Sequence, residues 1–290
     1  DFACLNGPSL FMYLEGKKHA PAALYVDLPK EAKWDLACGL PAGEGSAHFL
    51  ATDYDHLIDA PIVAGKFERF RFTAHEKPVY VVVQRKSGDD ALVAELAENC
   101  ARLVTACGTL FGGLPFDHYT FMFHFGQSPN GAMSGLEHRN STLIIAPQAP
   151  SDREELRRAT SIAAHELFHA WNVKRIRPIE LGPFDLSKEV HTRSLWIAEG
   201  ITSYYQHVIM RRAGLLDEAG FRAIMAQEID RLEETPGRLV TSVEDASMLT
   251  WFWGDDDRRE SDAANTEVSY YGKGCVLGLL LDMSLRKATG

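Results

Sequence analysis

The chain has 290 residues, with 40 acidic against 30 basic side chains and a formal charge of −10, which argues against general nucleic-acid binding because that needs a basic face. Hydrophobic residues make up 46% and charged residues 24%, the profile of a globular chain of about two domains rather than a disordered one. No apolar run approaches the ~20 residues of a membrane helix, and the richest, Cys275 to Leu281, is far too short.

The first 86 residues read as β. Ala23–Leu28, Phe67–Phe72 and Val79–Val83 are short, β-branched or aromatic, and bounded by Pro and Gly. Ser87-Gly88-Asp89-Asp90 breaks this pattern, and a domain boundary is expected near 88–90. From Ala91 the period changes: Leu92, Leu96, Leu103 and Val104 predict an amphipathic helix to about Leu110. Thr120–Phe125 and Ser141–Ala146 read as strands, and the Gly-, Asn- and Ser-rich stretch from Gly126 to Asn140 as a loop or an edge.

After Pro150 the pattern is mostly helical. Ser151 followed by Glu154 reads as a capping box opening a helix from about Asp152 to Val173. Further helices are expected over Leu195–Ala213, closed by Gly214, over Phe221–Glu234, and from about Val268 to Lys287. The fold class is therefore α+β: a β-rich N-terminal domain over 1–88, then a mostly helical domain over 89–290. The run Asp255-Asp256-Asp257-Arg258-Arg259 reads as a solvated loop.

Five cysteines, Cys4, Cys38, Cys100, Cys107 and Cys275, are scattered, odd in number and lack a CxxC pair. They form neither a disulfide framework nor a thiolate zinc site, and free thiols favour a reducing, cytoplasmic compartment. The chain opens at Asp1 without methionine and is expected to be part of a longer product. Oligomeric state leaves no mark in the sequence.

Within the helix after Pro150 stands His165-Glu166-Leu167-Phe168-His169. Residues four apart share a helix face, so two imidazoles can grip one metal ion with Glu166 beside it. A metal hydrolase needs a third protein ligand and an open position for water. Glu199, in the apolar stretch Leu195-Trp196-Ile197-Ala198-Glu199-Gly200, is a carboxylate that is costly to bury without a partner such as zinc.

HELFH, WxxEG and Tyr271-Gly272-Lys273-Gly274 together resemble the thermolysin-type zinc peptidases with a glutamate third ligand, the group containing aminopeptidase N. More narrowly, His165–Pro178, Gly135–Thr142, Glu199–Tyr205, Ser269–Gly274 and Tyr54–Pro61 resemble the glycyl aminopeptidase family, from about Phe11 to the C-terminus. Members usually continue into a PDZ domain, which this sequence lacks. The resemblance implies a thermolysin-like catalytic domain that cleaves the N-terminal peptide bond, after Gly or Ala, of peptides with a free N-terminus.

It also implies roles. His165, His169 and Glu199 would hold Zn2+, with Glu166 as general base toward water and then proton donor to the leaving amine. Tyr271 would stabilise the oxyanion, its neighbour Tyr270 pointing ~100° away on a helix. Ser134-Gly135-Leu136-Glu137-His138 resembles the Gly-x-Met-Glu-Asn segment that binds a free amino terminus, which makes Glu137 and Gly135 substrate-binding. The sequence departs from that segment at Leu136 and His138. Gln206 stands where related enzymes often carry an acid that orients a zinc-bound histidine, so somewhat weaker zinc affinity is expected.

Lys174, Arg175 and Arg177 read as a solvated cluster or a substrate-carboxylate contact, and His138 and His191 as plain surface, hydrogen-bonded or cleft-lining histidines. The rival functions are a zinc endopeptidase that does not use Glu137 and a non-catalytic peptide-binding module.

Overall fold

The computed structural model describes residues 2–45, 47–126, 128, 131–252 and 263–290. It divides into two compact units, Asp1–Ala170 and Trp171–Gly290. The run Asp255–Arg259 lies outside the described residues.

The first unit opens with β1 (Phe2–Leu5), β2 (Ala22–Tyr25), β3 (Asp35–Cys38), β4 (His48–Ala51), the short helix α1 (Tyr54–Ile58) and β5 (Ile62–Gly65). Strands β1, β5 and β3 form an antiparallel sheet with β5 in the middle, and β2 pairs with β4. The elements that follow are β6 (Glu68–Ala74), β7 (Lys77–Gln84), α2 (Asp90–Phe111), β8 (Tyr119–Phe125), β9 (Ser134–Glu137), β10 (Ser141–Ala146) and α3 (Arg153–Phe168). The five strands make a mixed sheet in the order β6-β7-β8-β10-β9, parallel from β7 through β8 to β10 and antiparallel at both edges.

The parallel centre is apolar on both faces, as a sheet covered on both sides must be. Val82 and Met122, paired in register, pack with Ala37 and Val63 of the three-stranded sheet. The alternate positions Val81, Phe121, Phe123 and Ile144 are fully buried on the other face, where α2 and α3 pack. Strands β7 and β8 lie on either side of Ser87–Asp90 and pair directly. The sheet therefore joins the segments before and after the boundary expected near 88–90, and the compact units divide at residue 170 instead.

Helix α3 starts one residue later than the capping pattern suggests. Asp152, not Ser151, caps it by accepting the Glu155 N–H at 2.8 Å, and Glu155 reaches back to the Ser151 N–H at 2.8 Å. Glu154 instead pairs with Arg157 and Arg158. The helix ends at Phe168, not Val173, with His169 as its C-cap. Beyond it the Ala170 N–H bonds three residues back to Leu167, and the Arg175 and Ile176 N–H groups share the Trp171 carbonyl. The apolar spacing runs on through this turn, so periodicity does not register the stop.

The second unit contains a π-helix over Trp196–Ile201, then α4 (Thr202–Arg212), α5 (Glu218–Glu233), α6 (Val243–Met248), α7 (Ala263–Thr266) and α8 (Tyr270–Thr289). Gly214, at φ +68°, closes α4 as expected. Tyr204, Met225 and Cys275 form a core across α4, α5 and α8. Among the described residues no helix is long and apolar enough to cross a membrane.

Three imidazoles of the first unit sit below the ordinary histidine range. Desolvation is the largest cause for His56, His118 and His124, with Arg139 adding to it at His56 and Lys86 at His124. The unfolded chain, with imidazoles near 6.5, binds more protons than the folded one below that pH. Stability is then full above about pH 6.5 and is lost as pH falls toward the depressed folded values. The thermal midpoint is expected to drop between about pH 7.5 and about pH 5.5, and His118→Gln to reduce the drop, as read by thermal melts.

Candidate metal centre

In the first unit, α3 carries His165, Glu166 and His169. Helical spacing brings the two imidazoles together, with ring centroids 4.8 Å apart. Glu166 and His169 are buried at 5% and 1% exposure. Glu166 is thus a carboxylate inside protein, and such a group needs a cation, a proton or donors to be tolerated there.

The edge strand β9 supplies the rest. Strand side chains alternate between faces, so Gly135 and Glu137 share one face while Leu136 points to the other; Leu136 is 55% exposed. A methyl group at Gly135 would overlap the Glu166 carboxylate, so the missing side chain is what lets the helix carboxylate lie against the strand. Two residues on, Glu137 joins it: ligand atoms of Glu137, Glu166 and His169 all lie within 4.8 Å of one another. Two carboxylates so close repel when both are ionised, and a shared cation removes the conflict. Imidazole nitrogens with carboxylate oxygens form a donor set suited to zinc.

The turn after β9 is anchored by a residue that sequence reasoning did not single out for a role. Asp59, just after α1, accepts the Arg139 N–H at 2.8 Å and lies 3.5 Å from His138 Nδ1. His138 is buried there, so it serves the hairpin that presents Glu137. The Tyr54–Pro61 stretch quoted from the sequence contains Asp59, the signal that could have led to it.

In the second unit, Glu199 is half-buried and lies on the π-helix rather than on the plain α-helix start expected. Gly200 and Gly274 let that helix meet α8: a Cβ at Gly200 would fall 2.5 Å from the Gly274 Cα and 2.7 Å from the Tyr270 carbonyl. Tyr271 is 42% exposed and lines a cavity of about 450 Å³ with Ser203, Gln206, His207 and Glu228. Its ring does not diverge from that of Tyr270: the two stack at 4.8 Å with 29° between planes. What separates them is the hydroxyl, since that of Tyr270 lies 3.3 Å from Thr250 Oγ1. Lys273 donates to the carbonyls of Arg238 and Thr241 at 2.9 and 3.2 Å, and burial followed by Arg238 lowers its pKa.

The secondary candidates have local roles. Lys174 and Arg177 both lie over the Phe184 ring. His191 bonds Glu189 at 3.2 Å and stacks on Phe252. All five cysteines are free thiols, four of them buried and Cys4 exposed; burial raises the pKa of Cys38 to about 11 and that of Cys275 to about 12, which disfavours their thiolate forms.

Residues 158–277 match the family described as M61 glycyl aminopeptidase, and residues 1–66 match the peptidase M61 N-terminal domain. The chain belongs to the M61 glycyl aminopeptidase family. This M61 chain is also similar to the structure of an aminopeptidase N family protein from Idiomarina loihiensis, with a TM-score of 0.87 and 30% identity over 98% of this chain and 49% of that one. Yeast LTA4 hydrolase, solved with bestatin, matches at a TM-score of 0.53 and 16% identity over 91% of this chain and 37% of that one, a likeness of fold alone. The M61 chain thus spans about half or less of the length of these structures. Among curated proteins none matches it.

Gly135→Ala is expected to push the Glu166 carboxylate aside while leaving the thermal midpoint nearly unchanged. Peptide turnover that relies on that carboxylate should fall about 100-fold, the scale of a 1 Å misplacement. Kinetics and melts on the same preparation check both.

Proposed function

We propose that this chain is the catalytic part of a zinc aminopeptidase that removes N-terminal Gly or Ala from peptides. The observation that carries the reading is the convergence of Glu137, Glu166 and His169 within 4.8 Å, beside a second imidazole, His165, on the same helix. The family description supports the Gly preference.

His165, His169 and Glu199 would hold the zinc. When bound, zinc lowers the pKa of water to ~7 and polarises a carbonyl oxygen. Glu166 would take a proton from the attacking water and return it to the departing amine, one carboxylate serving both halves of the hydrolysis. Its burial against Gly135 keeps that carboxylate in one orientation, which proton transfer at fixed distance needs. Glu137, a step along the same strand face, pairs with the substrate ammonium by a charge-assisted hydrogen bond and so selects the first peptide bond. The Tyr271 hydroxyl donates to the oxyanion of the attacked carbonyl.

Glycyl- and alanyl-p-nitroanilide are expected to be cleaved by the zinc-loaded chain, and their N-acetylated forms to be spared. Glu166→Ala should abolish turnover, a loss of at least about 100-fold, with zinc stoichiometry unchanged; retained activity would overturn the general-base assignment. Glu137→Gln should raise KM for the free-amine substrates. Equal cleavage of acetylated and free substrates would remove the exopeptidase reading and favour an endopeptidase.

A further inference from the structure

The π-helix over Trp196–Ile201 is a wide turn that seldom persists without outside support, because its carbonyls and N–H groups leave the α-helical ladder. Its support is written into four side chains of the second unit. Asn172 Nδ2 lies 2.8 Å from the Ile197 carbonyl, 3.3 Å from that of Ala198 and 3.1 Å from Thr202 Oγ1. Thr202 Oγ1 donates to the Ala198 carbonyl at 2.5 Å, and Ser203 Oγ to that of Glu199 at 2.9 Å. Ser247 Oγ accepts the Trp196 N–H at 3.0 Å.

Asn172 differs from the other three in kind. It belongs neither to the π-helix nor to a helix packed on it, but to the turn after Trp171. Asn172 is 9% exposed, and Thr202 and Ser247 are buried at 0% and 1%. A primary amide offers two N–H donors, shared here among Thr202 Oγ1 and the Ile197 and Ala198 carbonyls, the two that immediately precede Glu199. Removing them leaves buried carbonyls short of partners, and the turn can recover by closing to α-helical bonding. Closing by one residue rotates the positions before the closure by about 100° relative to α4, and Glu199 sits in that stretch.

We propose that Asn172 is a positioning residue that holds the π-turn open and so fixes the direction of the Glu199 carboxylate as a metal ligand, with Thr202 as its relay. This rests on the reading of Glu199 as a zinc ligand. The role is geometric: Asn172 touches neither metal nor substrate, and no proton moves through it.

The test compares zinc dissociation constants, by competition with a chromogenic chelator, for the wild-type chain, Asn172→Ala, Asn172→Asp and Glu199→Ala. Cobalt(II) d–d spectra and apo-protein melts are taken on the same samples. Asn172→Ala should weaken zinc about 10- to 100-fold, the usual scale for a residue supporting a ligand, and should alter the cobalt spectrum. Asn172→Asp, of the same shape but without donors, should do no better. A lowered melting point with wild-type zinc affinity and an unchanged cobalt spectrum would mean a merely structural amide and overturn the proposal. Should Asn172→Ala fail to fold, Thr202→Val removes one donor to the Ala198 carbonyl at constant shape and is read by the same two criteria. Loss of zinc by Glu199→Ala, with none by the Asn172 or Thr202 variants, overturns the positioning role alone. Wild-type affinity in Glu199→Ala removes the ligand assignment and this proposal with it.

Discussion

Two carboxylates and an imidazole placed within 4.8 Å of one another, with Glu166 and His169 buried, set the constraint that the first unit is organised around. Ionised acids at that separation repel, and a shared cation, a retained proton or hydrogen-bond donors must offset the repulsion. The unit brings them together from two directions. Helix α3 presents Glu166 and His169 at its C-terminal end, and edge strand β9 presents Glu137 across a residue without a side chain, Gly135. An edge strand is well suited to presenting a carboxylate in this way. Only one of its sides is committed to the ladder, through β10, and the hairpin that carries it is fixed from behind by Asp59.

The second unit meets a different demand by similar means. Glu199 and Tyr271 lie on neighbouring helices that approach as closely as backbone allows, because Gly200 and Gly274 face each other. Such close approach costs conformational freedom, since glycine gives up more of it on folding than any other residue. The π-turn adds a further cost that hydrogen bonds from Asn172, Thr202, Ser203 and Ser247 offset. Strained or widened backbone concentrated at the residues that carry chemistry is the general pattern of functional sites.

Much of this was legible in the sequence. The mixed apolar and β-branched runs located β7, β8 and β10 to within two residues at either end, and Gly214 marked the end of α4. The HELFH spacing needs only helical geometry to put two imidazoles on one face, and the pattern Gly135-Leu136-Glu137 needs only strand geometry to put a gap and a carboxylate on another. What was not legible has long-range causes. The pairing of β7 with β8 unites segments that composition separates at Ser87–Asp90. The stop of α3 at His169 lies inside an unbroken apolar period. The stacking of Tyr270 on Tyr271 contradicts the angular spacing of an ideal helix, since χ angles bring rings together that Cα directions would part.

The sequence by itself determined which imidazoles and carboxylates local geometry groups on one face, and the family to which the chain belongs. Those follow from residue type and from the two local periods, 3.6 and 2, of helix and strand. Only the tertiary structure decided how near Glu166 comes to Glu137, and that Glu199 stands on a π-turn rather than an α-turn. The reason is physical. The first depends on a side chain absent from a strand packed across a helix, and the second on an amide from a distant turn reaching two carbonyls. Neither leaves a periodic trace in the chain, because each is a contact between segments and not a property of either one.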